Sequence, residues 1–87
     1  MKIFELTPND NRKSFYKKAK VLEKEDGRRF LISYGAPVCY LDKNNQFVRL
    51  WEGYSATTMR HINAFLSLYS IDGGGKAWWD KQEIHKI

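Results

Sequence analysis

Eighty-seven residues make one domain rather than two, with a core thin enough to lean on large side chains. Three Trp, five Tyr and five Phe within a 43% hydrophobic composition exclude a disordered chain. Fifteen Lys and Arg against ten Asp and Glu leave a net charge of +5, which favours an acidic partner, with nucleic acid first among them.

The N-terminal arm, residues 1–14, opens on a possible short strand over Met1 to Leu6, followed by a polar turn at Thr7-Pro8-Asn9-Asp10-Asn11. From Phe15 to Trp51 the apolar residues recur with a period near two, the signature of strands. The first run, Phe15 to Glu23, sets Phe15, Ala19 and Val21 against Tyr16, Lys18, Lys20 and Leu22, giving one inward face and one wet, basic face. Asp26-Gly27 predicts a tight hairpin, because this pair tolerates positive φ. The second run, Arg28 to Tyr34, puts Phe30, Ile32 and Tyr34 on one side, and a turn is expected at Gly35-Ala36-Pro37. Val38 to Leu41 and Gln46 to Trp51 follow as further strands, separated by the polar turn Asp42-Lys43-Asn44-Asn45.

The period then changes. Ala56, Met59, Ile62, Phe65, Leu66 and Tyr69 recur at three- and four-residue steps, the stripe of one amphipathic helix over 55–70. Thr57, Arg60, Asn63 and Ser67 fall on its other side. Asp72-Gly73-Gly74-Gly75 ends the helix and offers glycines for a left-handed cap. The remaining residues, 71–87, form a glycine break and an aromatic tail, in which Lys76 to Lys81 is expected to make one helical turn burying at most one of Trp78 and Trp79. The expected fold is α+β: an antiparallel meander of three to four strands packed against one helix, with a short aromatic C-terminal segment.

The joint Gly53-Tyr54-Ser55-Ala56-Thr57-Thr58-Met59-Arg60-His61 concentrates hydroxyls and cations and admits three readings. As structure, Gly53 allows a bend, Tyr54 staples onto Met59, and Ser55 caps the helix by accepting from the amide of Thr57 or Thr58. As an anion site, the helix start with Ser55, Thr57, Arg60 and His61 would hold a phosphate. As a catalytic pair, Ser55 or Thr57 with His61 lacks both an orienting acid and oxyanion donors at any argued spacing, so no enzyme is expected.

A second surface lies upstream. Arg12, Lys13, Lys17, Lys18, Lys20, Lys24, Arg28 and Arg29 gather between residues 12 and 29, where the Asp26-Gly27 hairpin keeps them from scattering, and Tyr16 shares the phase of Lys18 and Lys20. Rings beside cations on a sheet face are what single-stranded or RNA-binding sheets use, although a lysine-rich edge also guards against strand aggregation. The expected contacts to nucleic acid are therefore Tyr16, Lys18, Lys20 and Arg29 on the sheet, with Ser55, Thr57, Arg60 and His61 at the helix start. The competing partner is a host protein docking on an aromatic patch of Trp51, Trp78 and Trp79.

His61, His85 and Cys39 are isolated, so neither a metal nor a cofactor is expected. Gly73-Gly74-Gly75-Lys76 follows a helix rather than a strand and is no phosphate loop. Cys39 lies in the apolar run Pro37 to Leu41, where a free thiol behaves as a small hydrophobe. A single cysteine, no apolar run near ~18 residues and no signal-peptide core in Met1 to Pro8 together predict a soluble cytoplasmic protein with no membrane partner.

Lys13-Ser14-Phe15-Tyr16-Lys17-Lys18-Ala19, then Ser33-Tyr34, then Arg49-Leu50-Trp51-x-Gly53-Tyr54-Ser55-Ala56-Thr57-Thr58-x-Arg60-His61-Ile62-x-x-Phe65 together form a specific pattern. Over residues 7 to 66 it resembles a family of small uncharacterised proteins encoded on phages and conjugative elements of gut and other Gram-positive bacteria. Members often carry Gly where this chain has Lys17, a departure without functional weight. The resemblance implies a mobile-element accessory protein, engaged in DNA transactions or in blocking host defence, and supplies no catalytic residue or ligand.

Overall fold

The structure, a computed structural model, describes residues 1–8, 15 and 18–85. Five strands, β1 (Lys2–Glu5), β2 (Ala19–Glu23), β3 (Arg29–Ser33), β4 (Ala36–Leu41) and β5 (Phe47–Arg49), form one antiparallel sheet in sequence order. Helix α1 (Ala56–Leu68) and the short α2 (Lys76–Asp80) follow. The chain is thus the expected α+β meander, widened by the N-terminal arm, which enters the sheet as a fifth strand against β2.

Strand alternation divides the sheet into two faces. Ala19, Val21, Leu31, Cys39 and Leu41 point to the core, where α1 lays Met59, Ile62, Phe65 and Leu66 across them. The helix needs this contact, because a thirteen-residue helix is marginal in isolation. Its buried stripe differs from the expected one at two points. Ala56, in the first turn, is exposed, and Thr58 and His61 are buried instead. Trp79 closes the core from α2 at 0% exposure, while its neighbour Trp78 is half-buried, so one tryptophan of the pair is enclosed as the spacing predicted.

Two turns were placed differently by sequence. The β3–β4 hairpin turns on Tyr34 and Gly35, both at positive φ (52° and 81°), a two-residue loop whose twist suits paired strands. Ala36 and Pro37 therefore belong to β4, and a register shift opposite Leu31 and Ile32 leaves Val38 and Cys39 both buried. Helix α1 ends on Ser70 rather than on glycine: Ser70 takes φ 57°, its amide donates to Ser67 O, and Ile71 N donates to Leu66 O at 2.9 Å. The expected Asp26-Gly27 turn is present, with Gly27 at φ 95°.

One side chain ties the sheet to everything after it. Arg49, at the end of β5, is 6% exposed. Its Nε donates to Trp51 O at 2.7 Å, its guanidinium nitrogens donate to Glu52 O and Trp79 O at 2.8 Å each, and its plane lies 4.1 Å from the Trp79 ring. Trp79 Nε1 in turn donates to Gly53 O at 2.8 Å. Gly53 is required here because a Cβ would meet the Trp51 indole at 2.5 Å. The tail then returns along β5, with His85 N donating to Arg49 O at 2.7 Å and a parallel bridge from Ile84.

Removing this guanidinium leaves the buried Trp79 carbonyl and the part-buried carbonyls of Trp51 and Glu52 without their donor. Arg49→Met should lower unfolding stability by about 3 kcal/mol or more, since bonds to charged groups carry ~1.5–3 kcal/mol each and unsatisfied buried acceptors add to the loss. Arg49→Lys should recover less than half, because a single ammonium cannot span carbonyls on both sides of the fork. Urea denaturation of the three proteins measures both.

Candidate nucleic-acid interface

The face of the sheet turned away from α1 carries a row of apolar side chains, one from each strand. The pairings Ile3↔Leu22, Leu22↔Phe30, Phe30↔Tyr40 and Tyr40↔Val48 put these five residues side by side across the sheet. Phe30 is buried at 8% yet lies outside the core cluster, and Ile3 is 61% exposed. Among the described residues, the core cluster under the helices takes none of the five. Val48, at the end of the row, adjoins the C-terminal segment at Lys81 to His85.

Cations frame this row. Phe30 and Tyr40 pack with ring centroids 4.7 Å apart, and Lys24 Nζ stands 5.2 Å from the Phe30 centroid. The Arg28 guanidinium lies 5.5 Å from Phe30 and 6.0 Å from Tyr40. Asp26 holds it there, accepting from Arg28 N at 3.0 Å and from Arg28 Nε at 2.7 Å. The backbone bond from Arg28, with its side chain and Lys24 adding to it, keeps the Asp26 carboxyl below its ordinary value. Lys20 is exposed on the same face, between Glu5 and Ile32.

The sequence-predicted site divides. Lys20 lies on the open face as expected, and Lys18 is exposed in the turn leading into β2. Arg29 is on the opposite, helix-covered face: it donates to Asp42 O and Asn45 Oδ1 at 2.6 Å and stacks 4.7 Å from Tyr69. The reason is parity, since Arg29 pairs with Glu23 and alternates with Lys20's partner Ile32 by an odd step. Tyr16, with Arg12, Lys13 and Lys17, lies outside the described residues.

The helix start behaves as structure. Ser55 Oγ accepts from Thr58 N at 3.0 Å and donates to Thr58 Oγ1 at 2.9 Å, which is the expected cap. Thr57 is exposed beside it. Tyr54, expected as a staple, is 41% exposed with Lys76 Nζ 5.5 Å over its ring. Arg60 places its guanidinium 5.0 Å over Phe15. His61 is a core residue at 0% exposure: its Nδ1 shares a 2.8 Å bond with Ser33 Oγ, and Phe15 meets its ring edge-on at 4.5 Å.

The tryptophans proposed as a protein-docking patch are likewise engaged internally. Trp79 is enclosed, Trp51 lies against Gly53, and Trp78 packs on Phe47 at 4.7 Å. Cys39 is fully buried, and desolvation pushes its thiol far above the ordinary range, as befits core filler. Among the described residues, no three His, Cys, Asp or Glu side chains gather where they would hold a metal, and no helix is long and apolar enough to cross a membrane.

Sequence reasoning counted Lys24 and Arg28 within the basic run but missed the apolar row they frame. The signal was available in the alternation: once Val21, Leu31 and Cys39 are assigned to the core, their neighbours Leu22, Phe30 and Tyr40 must face the other way.

Fold and site together define a small α+β protein with one helix-covered sheet face and one that, among the described residues, is open and framed by cations. Over residues 4–81 the chain matches, and belongs to, a family of unknown function, DUF8033. No curated protein and no solved structure matches it.

His61 couples stability to pH. Burial first, then the charges of Arg60 and Lys18, hold its imidazole below the ordinary 6.5. The unfolded chain therefore takes up a proton near pH 6.5 that the folded chain refuses, so this contribution is full above that pH and is lost as the pH falls below it. Thermal unfolding should show the melting temperature dropping between pH 7.5 and 5.5. In His61→Gln that drop should be smaller, on a baseline lowered by about 1–3 kcal/mol through disturbance of the Ser33 bond.

Proposed function

We propose that this protein is a non-enzymatic accessory protein of a mobile element and that it binds nucleic acid through the open face of its sheet. One observation carries the proposal: Lys24 and Arg28 stand against an aromatic pair on the face opposite the helix, and Lys20 is exposed on that same face. Lysines and an oriented guanidinium supply what phosphates need, and adjacent rings give the chain something to offer bases. The net charge of +5 adds long-range attraction. The mobile-element setting rests on the resemblance of the 7–66 pattern.

The helix start contributes little to this surface, because Ser55 is engaged in capping and His61 is enclosed. The enclosed His61 ring is engaged with Ser33 Oγ rather than with a nucleophile, which favours a binding role over catalysis. A protein-docking role resting on Trp51, Trp78 and Trp79 loses its central residue to the core.

Fluorescence anisotropy of labelled DNA and RNA oligonucleotides across a salt series tests the proposal. Binding should weaken steeply with salt, and Lys20→Gln with Lys24→Gln should flatten the log–log slope by roughly 0.7–0.9 per lysine removed. Lys76→Gln, at the start of α2, should leave the slope unchanged. Absent or salt-insensitive binding would overturn it.

A further inference from the structure

We infer that the open face takes single-stranded nucleic acid, with unstacked bases lying on the half-buried Tyr40 and Leu22 that flank the buried Phe30 ring, and discriminates against duplex. The inference rests on the nucleic-acid reading above and adds the form of the ligand.

Width is the first reason. Five strands spaced ~4.8 Å apart make a surface ~19 Å across, whereas the major groove of B-form DNA is ~12 Å wide and the minor groove ~6 Å. The major groove of A-form RNA is narrower still. A sheet of this breadth cannot enter a B-form groove face-on, and the wide, shallow A-form minor groove offers 2′-hydroxyls and base edges rather than base faces, so a duplex presents no stacking surface to the row. The row Leu22, Phe30 and Tyr40 has nothing to gain from phosphates, and placing them against apolar rings would desolvate charge without compensation. Unstacked bases present flat apolar faces that match such a row, and any base can do so.

The arrangement of charge is the second reason. The Phe30 and Tyr40 rings lie 33° from coplanar at 4.7 Å, and Arg28, fixed by the two bonds it donates to Asp26, sets a guanidinium beside both. Lys24 flanks Phe30, and Lys20 stands one step along the strand from the row. Bases along the row would thus leave their phosphates near cations.

The same charges argue against a second copy, since a face-to-face pair would bring Lys20, Lys24 and Arg28 towards like charges. Addition of a peptide strand at β5 is opposed by the tail, whose Ile84 and His85 already pair with Arg49.

The experiment compares short oligo(dT) and oligo(U) with a duplex of equal length at one salt concentration, using the whole chain. Single strands should bind at least tenfold more tightly than duplex. Tyr40→Leu keeps apolar volume but removes the ring. It should weaken single-strand binding at least fivefold, the lower end for loss of one base–aromatic stack, and leave duplex binding unchanged. Ultraviolet crosslinking of oligo(dT) to the unaltered protein, mapped by mass spectrometry, should label Tyr40, and it does not depend on how the variant folds. Equal or tighter duplex binding, crosslinks confined to other surfaces, or a folded Tyr40→Leu with unaltered single-strand affinity would overturn the inference while leaving nucleic-acid binding in place. Failure to bind any nucleic acid would remove both. Self-association abolished by Tyr40→Leu would assign the face to a second copy and overturn the single-strand inference.

Discussion

A buried arginine that bonds only to backbone carbonyls and a tryptophan ring holds the two halves of this chain together. Arg49 leaves β5 pointing into the core, where its donors meet the carbonyls of Trp51, Glu52 and Trp79. Those carbonyls belong to the strand-to-helix joint and to α2. A planar fork suits this task because its donors diverge in fixed directions, and its weakly hydrated face can lie on an indole. Remove the fork, and the joint, the short helix and the tail along β5 lose their common anchor.

From that anchor the helix is aimed. Gly53 lets the Trp51 indole close over the backbone, Trp79 Nε1 ties the same residue from the other side, and Ser55 caps α1 two residues later. The helix leaves the joint already directed across one face of the sheet, and Met59, Ile62, Phe65 and Leu66 cover the core residues there. His61 becomes a core residue by the same geometry, sharing a bond with Ser33 of β3. A stretch rich in hydroxyls and cations therefore serves mainly to set an angle.

With both helices committed to one side, the other face of the sheet is left to the hairpin residues. Lys24, Arg28 and Phe30 face the same way because the Asp26-Gly27 turn fixes the register of β2 on β3, and Asp26 then orients Arg28 over the rings. The open face is thus a product of a turn, a register and a helix direction, with α1 contributing by where it does not lie.

Much of this was legible in the sequence. Period-two alternation from Phe15 onward, the Asp-Gly turn and the three- and four-step stripe after Ser55 determined strands, a hairpin and one helix, because each reports a local geometric repeat. The Ser55 cap, the enclosed Cys39 and the burial of a single tail tryptophan follow from equally local rules. What only the tertiary structure decided is which face each alternation presents. Arg29 and Lys20 are both hairpin cations, yet parity sends one under the helix and the other to the open face. Arg49, Arg60 and His61 look alike as surface residues of a basic chain until packing encloses Arg49 and His61 and lays Arg60 over Phe15. The apolar row Ile3–Leu22–Phe30–Tyr40–Val48 exists only once five strands are in register, since no two of its members are neighbours in the chain. Local spacing sets the elements, while side-to-side pairing over long sequence separations sets the surfaces on which function rests.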